Sequence, residues 1–306
     1  MQIIESTSFR QERGLAATIG FFDGVHIGHR SLLSDVRATA AAKGLASGII
    51  TFREHPKKVL TGESMPLITS TEERLARLAA TGIDYCVLLD FTPELARLSA
   101  RDFIALMRDR YRLLHLTIGY DHRFGHNRND TPDDYRRYGE ALGVEVSQSE
   151  AYRVEGHKAS SSEIRRMLTE GRVQVATLLL ADLYRLQGRV VSGRQVGRSI
   201  GFPTANIEPS CPDKIIPADG AYAVRAYRAD GAMYGGMLNI GTRPSVTPES
   251  RKKSIEVHLF NYSGSLYGEH LCIEFVAYLR PERRMESLEA LRRQLEQDRA
   301  RCLEIL

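Results

Sequence analysis

Tryptophan is absent from the 306 residues, and cysteine is confined to Cys86, Cys211, Cys272 and Cys302, with no CxxC pair among them. Cysteines so far apart suggest neither a structural zinc set nor a disulfide framework, so free thiols in a reducing compartment are expected. Also missing is any run approaching the roughly 18 apolar residues that cross a bilayer, and the opening MQIIESTSFRQERG has no apolar signal core. A soluble, cytoplasmic chain is the expectation. Charge of one sign is barely in excess: 42 Lys and Arg stand against 38 Asp and Glu, leaving +4 without a basic tail or block. That surplus suits phosphate-bearing small molecules. A nucleic-acid surface would need a basic stripe interleaved with aromatics, and none is visible. Internal repeats and low-complexity segments are lacking as well.

What is present is ordinary globular composition, 42% hydrophobic and 26% charged, in a chain long enough for two domains. The first part alternates strand-like runs, at 15–21, 46–51, 85–90, 114–119 and 144–147, with helical patterns such as 27–43, stopped by Gly44, and 71–80. Strands alternating with helices predict a parallel sheet covered by helices, a Rossmann-like half of about 180 residues. From Leu186 the pattern shifts to short alternating runs, GRVVSG, GAYAVRAY, MYGGMLNIG, IEVHLFNY and LCIEFVAYL, punctuated by Gly, Pro and Asn. These predict an antiparallel barrel or sandwich. A last helix, 287–306, places Leu288, Leu291, Leu295 and Cys302 on one side for packing. The boundary is expected near 181–186, giving domains 1–182 and 183–306.

Three pieces of the first domain suit phosphate chemistry. Gly20-Phe21-Phe22-Asp23-Gly24-Val25-His26-Ile27-Gly28-His29 follows the first predicted strand and runs into a helix. A helix N-terminus presents free N–H groups and a positive dipole end. Two imidazoles three residues apart, with Gly28 between them, can donate to oxygens where charge develops as a phosphate attacks the α-phosphorus of ATP. Taken alone, the same residues would simply make a turn with surface histidines. The run Ser160-Ser161-Ser162-Glu163-Ile164-Arg165 matches a capping box over Ser160 and Glu163, and it also forms a second phosphate clamp. Gly119-Tyr120-Asp121-His122-Arg123-Phe124-Gly125 follows the fourth strand, where ligands gather in such sheets.

The second domain holds GRVVSGRQVGRSIGFPTAN, a glycine-rich stretch that is not a Walker loop. Gly193, Gly197 and Gly201 let backbone N–H groups approach a triphosphate, and Arg198 can neutralise its charge. If extended, Thr204 and Asn206 point to the same side and offer neutral oxygens that can share Mg²⁺ with phosphates. On the strand Ile255–Leu259, Glu256 and His258 share the face opposite the apolar residues. A carboxylate there either is solvated or takes a proton from an attacking hydroxyl.

Together, GxFDGVHxGH, SSSEIR and DHRFG resemble the FMN adenylyltransferase module of the bifunctional riboflavin kinase/FAD synthetases over residues 10–182. GRxxGFPTAN, NIGTRPSV, IEVHLF and LYG resemble riboflavin kinase over 184–300. The resemblance implies a six-stranded barrel and two reactions: ATP-dependent phosphorylation of riboflavin to FMN, then adenylylation of FMN to FAD. It implies that His26 and His29, with Gly20, Phe22, Gly28, Ser161, Ser162 and Arg165, handle ATP in the first domain. His55, Asp121 and Arg123 would lie near the flavin phosphate. In the second, Gly193, Gly197 and Arg198 would take ATP, Thr204 and Asn206 Mg²⁺, and Glu256 would be the base. Arg243 and Arg280 would close over the flavin. Ala181 stands where the family carries glycine, and His122 where it often carries an aromatic. Two other readings exist: a single-function nucleotidyltransferase with a structural barrel, and an RNA-binding barrel.

Overall fold

The computed structural model describes residues 1–5, 12–120, 123–126, 129–154, 156–193, 196–242, 253–283 and 285–306. They form two compact units, Met1–Ser161 and Ser162–Leu306.

In the first unit the elements run β1 (Gln2–Ile4), β2 (Leu15–Ile19), a 3₁₀ turn (Asp23–Val25), α1 (Ile27–Lys43), β3 (Ala46–Phe52), α2 (Pro56–Thr61), α3 (Thr71–Ala79) and β4 (Tyr85–Leu89). Then come α4 (Pro93–Ala96), α5 (Ala100–Tyr111), β5 (Leu113–Ile118), α6 (Pro132–Leu142), β6 (Glu145–Gln148) and a small hairpin of β7 (Arg153–Val154) and β8 (His157–Lys158). Six strands make one parallel sheet in the order β1-β4-β3-β2-β5-β6. The central strands LAATI and ASGIITF are buried at every residue, as a parallel sheet sandwiched between helices demands. After β2 the chain goes to β3 on one side, and later to β5 on the other. The carboxyl end of β2 is therefore the point where the strand order reverses, the place where such sheets bind ligands. Helix α1 begins at Ile27 and ends at Lys43 as the sequence predicts, because Gly44 takes the left-handed conformation at φ 65° and caps it.

The second unit continues α7 (Ser161–Thr169), which Ser161 opens, and adds α8 (Val173–Leu180), β9 (Tyr184–Val191), α9 (Val196–Ser199), β10 (Ala205–Pro209), β11 (Gly220–Arg228), β12 (Met233–Thr242), β13 (Lys253–Leu259), β14 (His270–Arg280) and α10 (Leu288–Ile305). The six strands close into an antiparallel barrel, β10-β13-β12-β11-β14-β9. Burial alternates along β9 and β13, one face filling the core and the other turned away. One strand escaped the pattern reading: β10 grows out of the PTAN segment itself. Helices α7 and α8 group with the barrel, while the change in sequence character falls later, near 182. Helix α10 lays Leu295, Cys302 and Leu306 against a cluster of Phe202, Ala221, Met237 and Leu279. The expected stripe needs one correction: Leu288 is 58% exposed, and the buried polar residue of the helix is Asp298, at 5%.

Candidate functional sites

In the first unit a cavity of about 240 Å³ opens at the strand-order reversal. Its walls include Ile19, Gly20 and Phe22 after β2, His26, Gly28 and His29 at the start of α1, and Tyr120, Ser149, Lys158 and Ser161. The approach to α1 is tightly wound: Phe22, Gly24 and Val25 have φ of 58°, 82° and 46°. Two non-glycine residues in the left-handed region mark stored strain at a site. The Asp23 carboxylate holds this turn in place by accepting from the Ile68 and Thr69 N–H groups and the Thr69 hydroxyl, all within 3.1 Å. Thr69 in turn accepts from the Gly24 N–H at 3.0 Å.

His26 is 5% exposed and caps α1, its Nδ1 accepting from the His29 N–H at 3.2 Å. The two imidazoles stack with centroids 3.6 Å apart, and His29 meets the Phe22 ring at 5.0 Å. A Cβ on Gly28 would sit 3.2 Å from the Ala159 carbonyl oxygen and 3.3 Å from the His26 ring, so any other residue would crowd the helix start. The Ser161 hydroxyl donates to the Asp23 carbonyl at 2.9 Å, which joins the serine run to the histidine turn. Ser162 and Arg165 lie beyond the division between the units, further along α7.

His55 caps α2, its Nδ1 accepting from the Lys57 N–H, and its ring meets the edge of Phe21 at 4.6 Å. Phe21 is also met by Arg74, 1% exposed, whose guanidinium stands 3.9 Å over the ring and donates to the Phe52 carbonyl at 2.6 Å. Burial pulls the Arg74 pKa down to about 10, against the nearby Asp23 charge, which supports the cation. Arg123 is exposed in the loop after β5. Asp121, like His122, lies outside the described residues. Tyr120 was legible only as part of the quoted loop after β5, and the sequence reading missed Ser149 and Lys158. Those two share no motif, and only the topology gathers the ends of β6 and β8 beside β5.

Among the described residues of the second unit, two cavities share a wall. One, about 620 Å³, is lined by Pro203, Thr204, Ala205, Val257 and the loop Tyr262–Tyr267. The other, about 240 Å³, is lined by Phe202, Thr204, Asn239, Glu256, His258, Arg280 and, from α10, Leu291, Leu295 and Asp298. Thr204 borders both, and its hydroxyl donates to Glu256 Oε2 at 3.3 Å. In the strand register Glu256 stands opposite Asn206 on β10 and opposite Asn239 on β12, so the three residues form one cross-strand row.

Asn206 is 7% exposed, and a Cβ on Gly193 would fall 2.0 Å from its amide nitrogen. Gly193 thus gives the backbone its close approach to the PTAN amide. Gly197 is equally constrained, since a Cβ there would lie 2.1 Å from the Phe202 carbonyl oxygen. Arg280 borders the smaller cavity with its guanidinium held by Asp298. Arg243 and the side chain of Arg198 lie outside the described residues. Asn239 was legible only as part of a quoted motif, and Asp298 not at all.

The donor set suits a metal that arrives with a nucleotide. Among the described residues no cluster of three or more His, Cys, Asp or Glu could hold an ion by itself. Thr204 and Asn206 instead offer two neutral oxygens beside one carboxylate, which fits Mg²⁺ completing its shell with phosphates and water.

Residues 8–163 match the FAD synthetase family and residues 180–306 the riboflavin kinase family. The bifunctional riboflavin kinase/FMN adenylyltransferase of Pseudomonas fluorescens is 34% identical over 289 residues, 94% of this chain and 92% of that protein. That of Escherichia coli K12 is 32% identical over 297 residues, 96% and 94% of the two chains. A solved structure described as a macrolide-efflux protein from Streptococcus pneumoniae is 28% identical and superposes with a TM-score of 0.87 over 97% of each chain. No helix among the described residues here is long and apolar enough to cross a membrane. With both halves matched in order by relatives of nearly the same length, the chain belongs to the family of bifunctional riboflavin kinase/FMN adenylyltransferases.

Proposed function

We propose that the chain makes FAD in two ATP-dependent steps at separate sites, with the functional division at 182/183. As a family member it is a transferase with riboflavin kinase and FMN adenylyltransferase activities. The observation that carries the assignment of sites is the convergence of the two motif sets on two different clefts.

In the first domain the FMN phosphate attacks the α-phosphorus of ATP, the bond to the β-phosphate breaks, and pyrophosphate leaves. Since His26 Nδ1 accepts the His29 N–H, the neutral His26 ring carries its proton on Nε2 and donates from there. His26, His29 and the α1 N–H groups stabilise charge on the transferring and leaving oxygens. Gly20, Phe22, Gly28, Ser161, Ser162 and Arg165 hold ATP; His55, Asp121 and Arg123 hold the flavin phosphate.

In the barrel Glu256 takes the proton of the terminal ribityl hydroxyl as its oxygen attacks the γ-phosphorus and ADP leaves. The larger cavity takes the nucleotide with Gly193 and Arg198, and the smaller takes riboflavin with Arg243 and Arg280; Gly197, which lines the smaller cavity, would meet the triphosphate from that side. The shared Thr204 wall supports this split, because the reacting oxygens must meet where the two cavities meet. Mg²⁺ accompanying ATP would be held by Thr204 and Asn206 and would neutralise phosphate charge. We place the enzyme in the cytoplasm, in keeping with its scattered free cysteines, acting on the small molecules ATP, riboflavin and FMN; its mild, scattered charge speaks against a nucleic-acid partner and its lack of a long apolar run against a membrane one.

Incubation of the purified protein with riboflavin, ATP and Mg²⁺, followed by chromatography, should show FMN and then FAD. Absence of both would overturn the proposal; FMN that never becomes FAD would overturn its adenylyltransferase half.

A further inference from the structure

His258 shares a strand face with Glu256, yet neither reaction above uses it. Its Nδ1 lies 2.8 Å from the Pro203 carbonyl oxygen. A carbonyl only accepts, so Nδ1 carries the proton. The ring is fixed from two sides, meeting Phe202 at 5.3 Å and Phe260 at 5.8 Å.

The position of this bond is informative. β10 and β13 pair through Ala205 with Val257 and Asn206 with Glu256, and the ladder goes no further towards Pro203. Proline has no N–H to extend it. Where backbone pairing stops, the His258 side chain takes the next carbonyl, and one residue on the Thr204 hydroxyl bonds to Glu256 at 3.3 Å. Two side chains of β13, two residues apart, therefore fasten the segment that forms the wall between the cavities.

We propose that His258 is a positioning residue for phosphoryl transfer, acting through Pro203 to hold Thr204 and Asn206 against Glu256. The proposal rests on the kinase reading of the barrel. It assigns His258 no proton transfer, and its whole contribution is one N–H at a fixed place.

The substitutions follow from that geometry. His258→Asn keeps an N–H donor at the Nδ1 position, His258→Gln moves the amide one methylene too far, and His258→Leu has no donor. Loss of one such bond should lower the riboflavin kinase kcat about 5- to 10-fold, read at saturating riboflavin because His258 also lines the smaller cavity. The Asn variant should stay within about twofold of the unaltered enzyme. Amide hydrogen exchange of the peptide spanning 202–206, measured without nucleotide, should quicken in the Gln and Leu variants and be restored in Asn.

Conversion of supplied FMN to FAD should persist in all three, and an unaltered denaturant transition of the barrel reports that they are folded; if Leu does not fold, Gln carries the comparison. Gln at the unaltered rate and exchange, or Asn as impaired as Gln, would overturn the positioning role. An unaltered protein that makes no FMN would sink the kinase reading instead, while the exchange pattern still decides the contact.

Discussion

Arg280 donates from Nε and Nη2 to the Asp298 carboxylate at 2.7–3.0 Å, both side chains being largely buried. Gln294 adds a third donor at 3.0 Å. The guanidinium thus binds α10 to the end of β14 and forms a wall of the smaller cavity. Removing one partner of a buried pair leaves the other charge uncompensated, at a cost of about 3–5 kcal/mol. Asp298→Ala should lower the denaturant stability of the barrel by that amount and raise the KM for riboflavin, while supplied FMN still becomes FAD. A riboflavin KM at the unaltered value would separate α10 from the flavin pocket.

His29→Ala should abolish FMN adenylylation and spare FMN formation. Loss of one donor to developing charge costs about 10²- to 10³-fold. Steady-state FAD synthesis from supplied FMN measures it, and an unchanged rate would remove the stacked histidines from the reaction.

Glu256→Gln preserves shape and hydrogen bonding but not basicity, so riboflavin phosphorylation should fall about 10²- to 10⁴-fold. Mixing this variant with His29→Ala should restore riboflavin-to-FAD conversion, because each supplies the site the other lacks and FMN diffuses between them. Kinase activity within twofold of the unaltered enzyme would reject the base.

His115, 2% exposed on β5, bonds Ser147 at 2.8 Å through Nε2. Burial holds its pKa below the ordinary 6.5, outweighing Glu145, which favours the cation, and assisted by Lys43. A depressed histidine contributes stability that is complete above the unfolded value, begins to fade below about pH 6.5 and is gone once pH falls past the folded value. Urea midpoints of the first domain should therefore drop between about pH 7 and 5, and less steeply in His115→Gln. Identical slopes would exclude His115 as the source.

Ala181 ends α8 with φ 50° and ψ 33°. A Cβ in the left-handed region costs about 1 kcal/mol. Glycine would relieve that cost, so Ala181→Gly should raise stability by roughly 0.5–1 kcal/mol, less than the full strain because glycine also frees the unfolded chain. A destabilised variant would contradict the strain argument.

Local chemistry carried much of this into the sequence. Gly44 announced its own cap, and the histidine turn could be placed because a strand ends just before it and a helix starts just after. Residues whose role depends on a distant partner were invisible. Asp298 breaks the apolar stripe of α10 and is buried only because Arg280 waits beneath it. Arg74 sits in an exposed-looking TEERLARLA pattern, yet its guanidinium is covered by Phe21 and by carbonyls at the end of β3. β10 was hidden because its neighbours along the chain are glycine and proline, while its pairing partners come from β9 and β13.

The closed ring of strands also sets an order of events as the chain emerges from the ribosome. β9 pairs with β14, Tyr184 against Phe275, so the ring stays open until its last strand has been made. The parallel sheet needs nothing beyond Gln148. Such long-range closure is slow compared with local pairing. β10 must therefore keep an unpaired edge until β13 is made and β9 until β14 is, and this interval is when the nascent chain is most exposed to strand-to-strand aggregation.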